Sequence, residues 1–177
     1  MPIDMKGIIA DTLLTMTKQK GIDKVTVKAL IEECHISRQT FYYHFQDIME
    51  VIEWSMERAV QETIKYTQKA DTLKEALTYL IDSAVENHEL IHKLMDSQKR
   101  AQMEKLLIRA IKIYLQAFIE AKARTLSISY GDVEIALDFY AFGISGLLLT
   151  YCQQKNLDTK GLAEQICRLL PSNSHHD

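Results

Sequence analysis

Proline and glycine are scarce in the 177-residue chain, two and six respectively. That is too few turn-forming residues for the many short strands of a sandwich or barrel, and it suits long helices. Cysteine is scarce too. Cys34, Cys152 and Cys167 are odd in number, far apart and in no C-x-x-C spacing. They indicate neither a disulfide framework nor a cysteine-based zinc site and fit a reducing cytoplasm. No charge of one sign dominates: the net charge is −3, so any nucleic-acid site has to be local. The first residues, Met1-Pro2-Ile3-Asp4-Met5-Lys6, lack the pattern of an export signal. The apolar run Phe139 to Tyr151 is short of the ~20 residues of a membrane span and follows Glu134 and Asp138, so it reads as a buried helix and no membrane partner is expected.

What is present is ordinary globular composition, 47% hydrophobic and 25% charged, in a length that excludes a multi-domain enzyme. The periodicity predicts an all-α chain of about nine helices. Ile9, Leu13 and Met16 mark a first helix over 5–20 that ends at Gly21. Thr26 caps a short second helix, Ser37 a third that runs to about His44, and Asp47 with Glu50 opens a long fourth to about Lys69. Thr72 and Glu75 repeat that box before a fifth. Helices follow at about His88–Asp96 and Gln98–Arg124. After a polar break at Ser127–Gly131 come helices at about Val133–Gln153 and Thr159–Leu170, closed by Pro171 and a frayed tail, 172–177.

Two short helices after a longer one outline a helix-turn-helix unit. With Phe41 and Phe45 as core anchors, ~100° per residue turns Gln39 and Tyr43 outward, flanked by Thr40 and Tyr42. From Cys34 to Phe45 there is one cation, Arg38, and no acid. Amide, hydroxyl, phenol and guanidinium groups without carboxylates suit a major groove, and the helix N-termini at Thr26, Ser37 and Asp47 offer N–H donors to phosphates.

Thr26-Val27-Lys28-Ala29-Leu30-Ile31, then Ile36-Ser37-Arg38-Gln39-Thr40-Phe41-Tyr42-Tyr43-His44-Phe45, resembles the DNA-binding signature of TetR-family transcriptional regulators. The likeness covers about the first 50 residues. The Phe-Tyr-Tyr-His-Phe variant followed by Asp47-Ile48 and Glu53-Trp54 is similar to the subgroup of dihydroxyacetone-kinase-type regulators. The resemblance implies phosphate contacts from Thr26, Tyr42 and His44, base or phosphate contacts from Arg38, Gln39, Thr40 and Tyr43, and Ser37 as the helix cap. Two departures stand out. Cys34-His35 occupies a turn where the family often has a small residue and Gly, and Ile48 stands where it often has a phosphate-binding Lys, which leaves more to Lys6, Lys24 and Lys28.

Residues 1–46 are thus expected to form the helix-turn-helix domain, packed on a helical effector-binding and dimerisation domain, 47–177. The helix around Phe139–Leu149 is apolar nearly all round, and Gly143, Ser145 and Gly146 thin it for close approach of another backbone. Gly143, Gly146 and Leu147, with Leu162, Ile166, Leu169 and Leu170 of the last helix, are the expected homodimer interface; the resemblance implies the same helix pair. Tyr79, Asp82, Met95, Tyr114, Phe118, Phe139 and Tyr140 are the candidates for an effector pocket.

The expected protein is a cytoplasmic, ligand-responsive repressor that binds a near-palindromic DNA operator as a homodimer, without cofactor or enzymatic activity. Two alternatives stand beside it. His88-Glu89-Leu90-Ile91-His92 matches H-E-x-x-H, the spacing of a zinc hydrolase, though Met95 stands where the longer metzincin pattern needs Gly. The missing Lys and the acidic total charge allow a co-regulator acting through protein contacts.

Overall fold

The computed structural model describes residues 4–67, 69–122, 130–152, 154 and 156–169. Among them are nine α-helices, one 3₁₀ turn and no strand. The helices are α1 (Met5–Lys20), α2 (Val27–Glu33), α3 (Arg38–His44), α4 (Ile48–Thr67), α5 (Leu73–Glu86), α6 (His88–Met95), α7 (Arg100–Lys122), α8 (Tyr130–Tyr151) and α9 (Thr159–Leu169). The 3₁₀ turn, Ile22–Lys24, was not expected; it buries Ile22 between α1 and α2. The expected break from Ser127, Leu170, the closing Pro171 and the tail lie outside the described residues, apart from Tyr130 and Gly131, which open α8.

The chain forms two compact units. One comprises the residues up to Val60 with Glu89–Ala110; the other comprises Gln61–His88 with the described residues from Ile111 onward. Helices α4 and α7 therefore contribute to both. The boundary expected from the sequence at 46/47 is not the boundary of these packing units, the first of which takes in the start of α4 and Glu89–Ala110 as well.

In the first unit α1, α2 and α3 each start on a side-chain cap. Asp4 accepts the amide of Gly7 at 3.0 Å, Thr26 Oγ1 that of Ala29 at 3.1 Å, and Ser37 Oγ that of Thr40 at 3.0 Å. At α4 the box is reciprocal, the Glu50 amide donating to Asp47 and the Gln46 amide to the Glu50 carboxylate. Such caps contribute about 1 kcal/mol each, which matters in helices of seven residues. Ile9, Leu13, Leu30, Phe41, Phe45, Val51, Ile52, Leu90, Leu94 and Met103 fill one core. Fully burying one such side chain stabilises by roughly 1.5–3 kcal/mol. Phe45 meets Trp54 edge-on at 6.1 Å, and Arg58 lies over the indole while pairing with Asp11. Arg109 pairs with both Glu53 and Glu57 across α7 and α4. Among the described residues Thr17 Oγ1 is buried without a hydrogen-bond partner.

In the second unit α5 and α9 pack together, with Leu77, Ile81, Leu162, Ala163 and Ile166 buried. The Tyr114 hydroxyl donates to the Ala76 carbonyl at 2.6 Å, and Lys74 pairs with Glu164 at 2.6 Å. Helix α8 departs from expectation. Among its described side chains Leu137, Ala141, Ile144, Ser145 and Leu148 are buried, as is Cys152 just past its end; Ile135, Phe139 and Phe142 are exposed at 73%, 72% and 61%. The expectation of burial on most faces is not met within one chain. Ser145 also lies on the buried side, its hydroxyl returning to the Ala141 carbonyl at 2.6 Å, so it does not share the exposed face of the two glycines. Among the described helices α8 is the one long and apolar enough to cross a membrane by length and composition, which the shorter run from Phe139 had not suggested. Asp138 on it forms an ion pair with Lys112 of α7.

Candidate nucleic-acid interface

The turn between α2 and α3 comes first, because it aims α3. It closes as a Schellman motif: the Ile36 amide donates to the Ile31 carbonyl and the His35 amide to the Glu32 carbonyl, both at 3.2 Å. That geometry requires a left-handed residue, and His35 takes it at φ 52°. The sequence departs from glycine here, and the chain meets the need with a strained side-chain-bearing residue.

Helix α3 then presents two opposite sides. Phe41 and Phe45 are buried, 6.3 Å apart between ring centres, while Arg38, Gln39, Tyr42 and Tyr43 are exposed and Thr40 and His44 are half-buried. The outward side chains are held as well as displayed. Arg38 stacks over the Tyr42 ring at 5.6 Å, Tyr42 meets Phe41 edge-on at 5.4 Å, and Tyr43 meets His44 edge-on at 5.0 Å. Ordering a side chain in advance lowers the entropy lost when it contacts a ligand. The one-turn Arg38–Tyr42 spacing was the sequence signal for the stack, and it went unread.

The flanking groups are less uniform. Thr26 and Ser37 are exposed, each also serving as a helix cap. Lys28 is exposed but sits 3.9 Å from Glu32, which offsets part of its charge. Lys6 lies over the Phe45 ring at 5.2 Å. Ile48, where a cation was missed, packs partly buried against the core of this unit.

The other candidates separate. Of the expected dimer residues, Gly143, Gly146 and Leu169 are exposed and Leu147 half-buried, whereas Leu162 and Ile166 are buried, facing their own chain. Ile135, Phe139, Phe142, Gly143 and Gly146 recur at helical spacing along α8, and open space lies beyond both glycines. Of the expected effector residues, Met95 packs against the core of the first unit, and Phe139 is turned to solvent. Tyr114 is buried with its hydroxyl engaged, and Tyr79 stacks on Tyr66 at 6.2 Å, both rings exposed. Asp82, Phe118 and Tyr140 are half-buried. His88 Nδ1 donates to the Val85 carbonyl at 2.8 Å, and His92 Nδ1 lies 2.7 Å from Asp96. Among the described residues no group of three or more His, Cys, Asp or Glu side chains is placed to hold a metal ion.

Comparison with known proteins agrees with this arrangement. Residues 9–53 match the family described as bacterial regulatory proteins, tetR family, and residues 71–172 match a transcriptional regulator C-terminal region. No curated protein matches the chain. Among solved structures it is similar to the dihydroxyacetone kinase operon activator DhaS, at 20% identity and TM-score 0.68 over 93% of this chain and 92% of that one. It is similar to Lin0861 from Listeria innocua at 20% identity and TM-score 0.72, over 96% and 93%. The fatty acid degradation regulator FadR from Bacillus halodurans aligns over the full length of both chains at 12% identity and TM-score 0.59.

Proposed function

Because the chain belongs to the TetR family of bacterial regulatory proteins and is a DNA-binding transcriptional regulator, we propose that it acts in the cytoplasm as a homodimeric, ligand-responsive repressor of a near-palindromic operator. The observation that carries the reading is α3, which buries Phe41 and Phe45 while turning Gln39 and Tyr43 outward. Gln39, Tyr43, Thr40 and Arg38 are the base readers or phosphate contacts. Thr26, Lys28, Tyr42 and His44 hold the backbone, and Ser37 positions the helix. Residues 1–46 carry the DNA contacts; residues 47–177 carry effector binding and dimerisation.

The exposed apolar stripe of α8, with Leu169 of α9 exposed at 78%, is the dimer face. An apolar stripe of this kind marks an interaction site, and a two-fold pair would set two recognition helices into successive major grooves. The effector binds in the second unit, where Tyr114, Phe118 and Tyr140 are lining candidates. A ligand that prefers the conformation with the wrong helix separation weakens operator binding by the ratio of its two affinities. We assign no enzymatic role to His88, Glu89 and His92.

The test is selection of bound duplexes from a random DNA pool by the purified chain, with zinc assayed on the same sample. An enriched palindrome with little zinc supports the reading; no enriched sequence with one zinc per chain overturns it. Because DhaS is by name an operon activator, the recovered operator is then placed upstream of a reporter. Reporter activity that falls with the protein supports repression, and activity that rises replaces repressor with activator.

A further inference from the structure

Within the first unit, the 3₁₀ turn, the stretch through Val25 and Val27, and the starts of α4 and α7 border a groove of about 710 Å³. That volume falls in the range of small-molecule sites, roughly 300–1,000 Å³. Its wall residues Ile22 and Val25 are buried, and Ile48 and Met49 are half-buried. All four pack into the core of this unit, so the groove is held open by the fold.

The charges bordering it are Asp23, Asp47 and Lys99. Helix N-termini ordinarily favour an anion, but here protein carboxylates already take that role. Asp47 Oδ1 accepts the Glu50 amide at 2.9 Å in the first turn of α4, and Asp23 Oδ2 accepts the Gln98 amide at 3.1 Å just ahead of α7. A carboxylate ligand would meet two fixed carboxylates and one ammonium. A cation would meet the reverse, and each aspartate keeps a second oxygen for a charged donor.

We propose that this groove binds a small organic cation with an apolar body, the body against Ile22, Ile48 and Met49 and the ammonium toward Asp23 and Asp47. The site adjoins Thr26 through Val25 and Val27; apart from the α4 N-terminus at Asp47, none of its lining residues is assigned above to DNA, dimer or effector.

The test is a titration of the full-length, ¹⁵N-labelled chain with 4-phenylbutylamine, 4-phenylbutyrate and 4-phenylbutanol, followed by amide NMR shifts. These probes share one apolar body and differ in charge. The amine is expected to shift the amides of Ile22, Met49 and Ala101 saturably and to bind at least about tenfold tighter than the other two, as for a hydrogen bond to a charged group. In the D23N/D47N variant the side-chain carbonyls still accept the Gln98 and Glu50 amides. The fold is kept, the amine's advantage disappears, and the weak binding of the alcohol stays. Equal or tighter binding of the carboxylate, saturable shifts only outside the groove, no saturable shift, or an undiminished amine advantage in D23N/D47N would each overturn the proposal. The readout needs no DNA, so its failure is distinct from a failed operator selection.

Discussion

Phe41 and Tyr43 stand two residues apart on α3 and face opposite ways, the first fully buried and the second 83% exposed. The phenol of Tyr43 is therefore free to touch a base edge without disturbing the core. Tyr43→Ala is expected to cost about 1–3 kcal/mol of specific binding and to leave non-specific binding nearly unchanged. Lys28→Ala is the contrast, weakening all sequences alike and lowering the salt slope by less than ~1, since Glu32 already offsets part of its charge. Salt-dependent titrations on the selected and a scrambled duplex check both; equal loss for Tyr43→Ala on the two duplexes would remove it as a base reader.

The left-handed turn at His35 predicts a stabilising substitution. An L-residue there costs about 1–2 kcal/mol, and the exposed imidazole leaves little packing to lose. After subtracting the extra unfolded-state entropy of glycine, His35→Gly is expected to gain about 0.5–1 kcal/mol. His35→Val, β-branched at positive φ, is expected to lose more than about 1 kcal/mol. Urea unfolding of the three proteins measures the order Gly, His, Val; any other order contradicts the account.

Phe139 and Phe142 are solvent-exposed in a single chain, so a charge at either leaves the monomer folded. If α8 is the dimer face, Phe139→Glu and Phe142→Glu each raise the dimer dissociation constant at least about 100-fold, the effect of an unpaired charge at a buried position. Sedimentation equilibrium together with unchanged far-UV circular dichroism is the measurement; a dimer of wild-type strength would move the interface elsewhere.

Burial pushes the Cys152 thiol up to about 11 from the ordinary 9.0. Thiolate being the nucleophile, Cys152 should resist iodoacetamide at pH 8 in the native chain and react once the chain is unfolded in urea. The native state holds the proton more tightly, so the contribution of this group to stability is complete below pH 9 and is lost as pH rises toward 11. Mass spectrometry of the alkylated peptides tests the first statement, and rapid labelling of the folded chain at pH 8 would refute it. Urea unfolding of the wild type and Cys152→Ala across that pH window tests the second, and an equal pH dependence of the two would refute it.

Thr17→Val removes the unpartnered buried hydroxyl and keeps the β-branched shape. A gain of about 1 kcal/mol is expected, the desolvation cost no longer incurred. Thermal unfolding gives the sign, and a loss of stability would mean that a bound water satisfies Oγ1.

Much of the first unit was legible because it is built from local rules. Thr26, Ser37, Asp47 and Glu50 announce their caps by spacing alone, and Phe41 and Phe45 fix the inward side of α3 by one turn of helix. What failed to be legible depends on neighbours distant in sequence. The pattern of α8 reads as apolar all round, so it could not say that Ser145 faces in while Phe139 and Phe142 face out. Leu162 and Ile166 look like interface on an amphipathic helix, but α5 had already claimed them. The groove escaped notice because Asp23, Asp47 and Lys99 come from three separated segments, none with a motif, and Ile48 read as a lost cation when it is a gained piece of wall.

Between the last residue of α3, His44, and the first of α4, Ile48, lie only Phe45, Gln46 and Asp47. Phe45 is anchored in the core and donates its amide to the Phe41 carbonyl at 2.9 Å, and Gln46 and Asp47 are both tied into the capping box with Glu50. The joint has no slack. Three residues, each held by a backbone or capping hydrogen bond, couple the start of α4 to the reading helix, so a change in the tilt of α4 is expected to turn α3 with it, as a crank turns a rod. Lengthening that joint by a pair of glycines would leave both helices intact and disconnect one from the other.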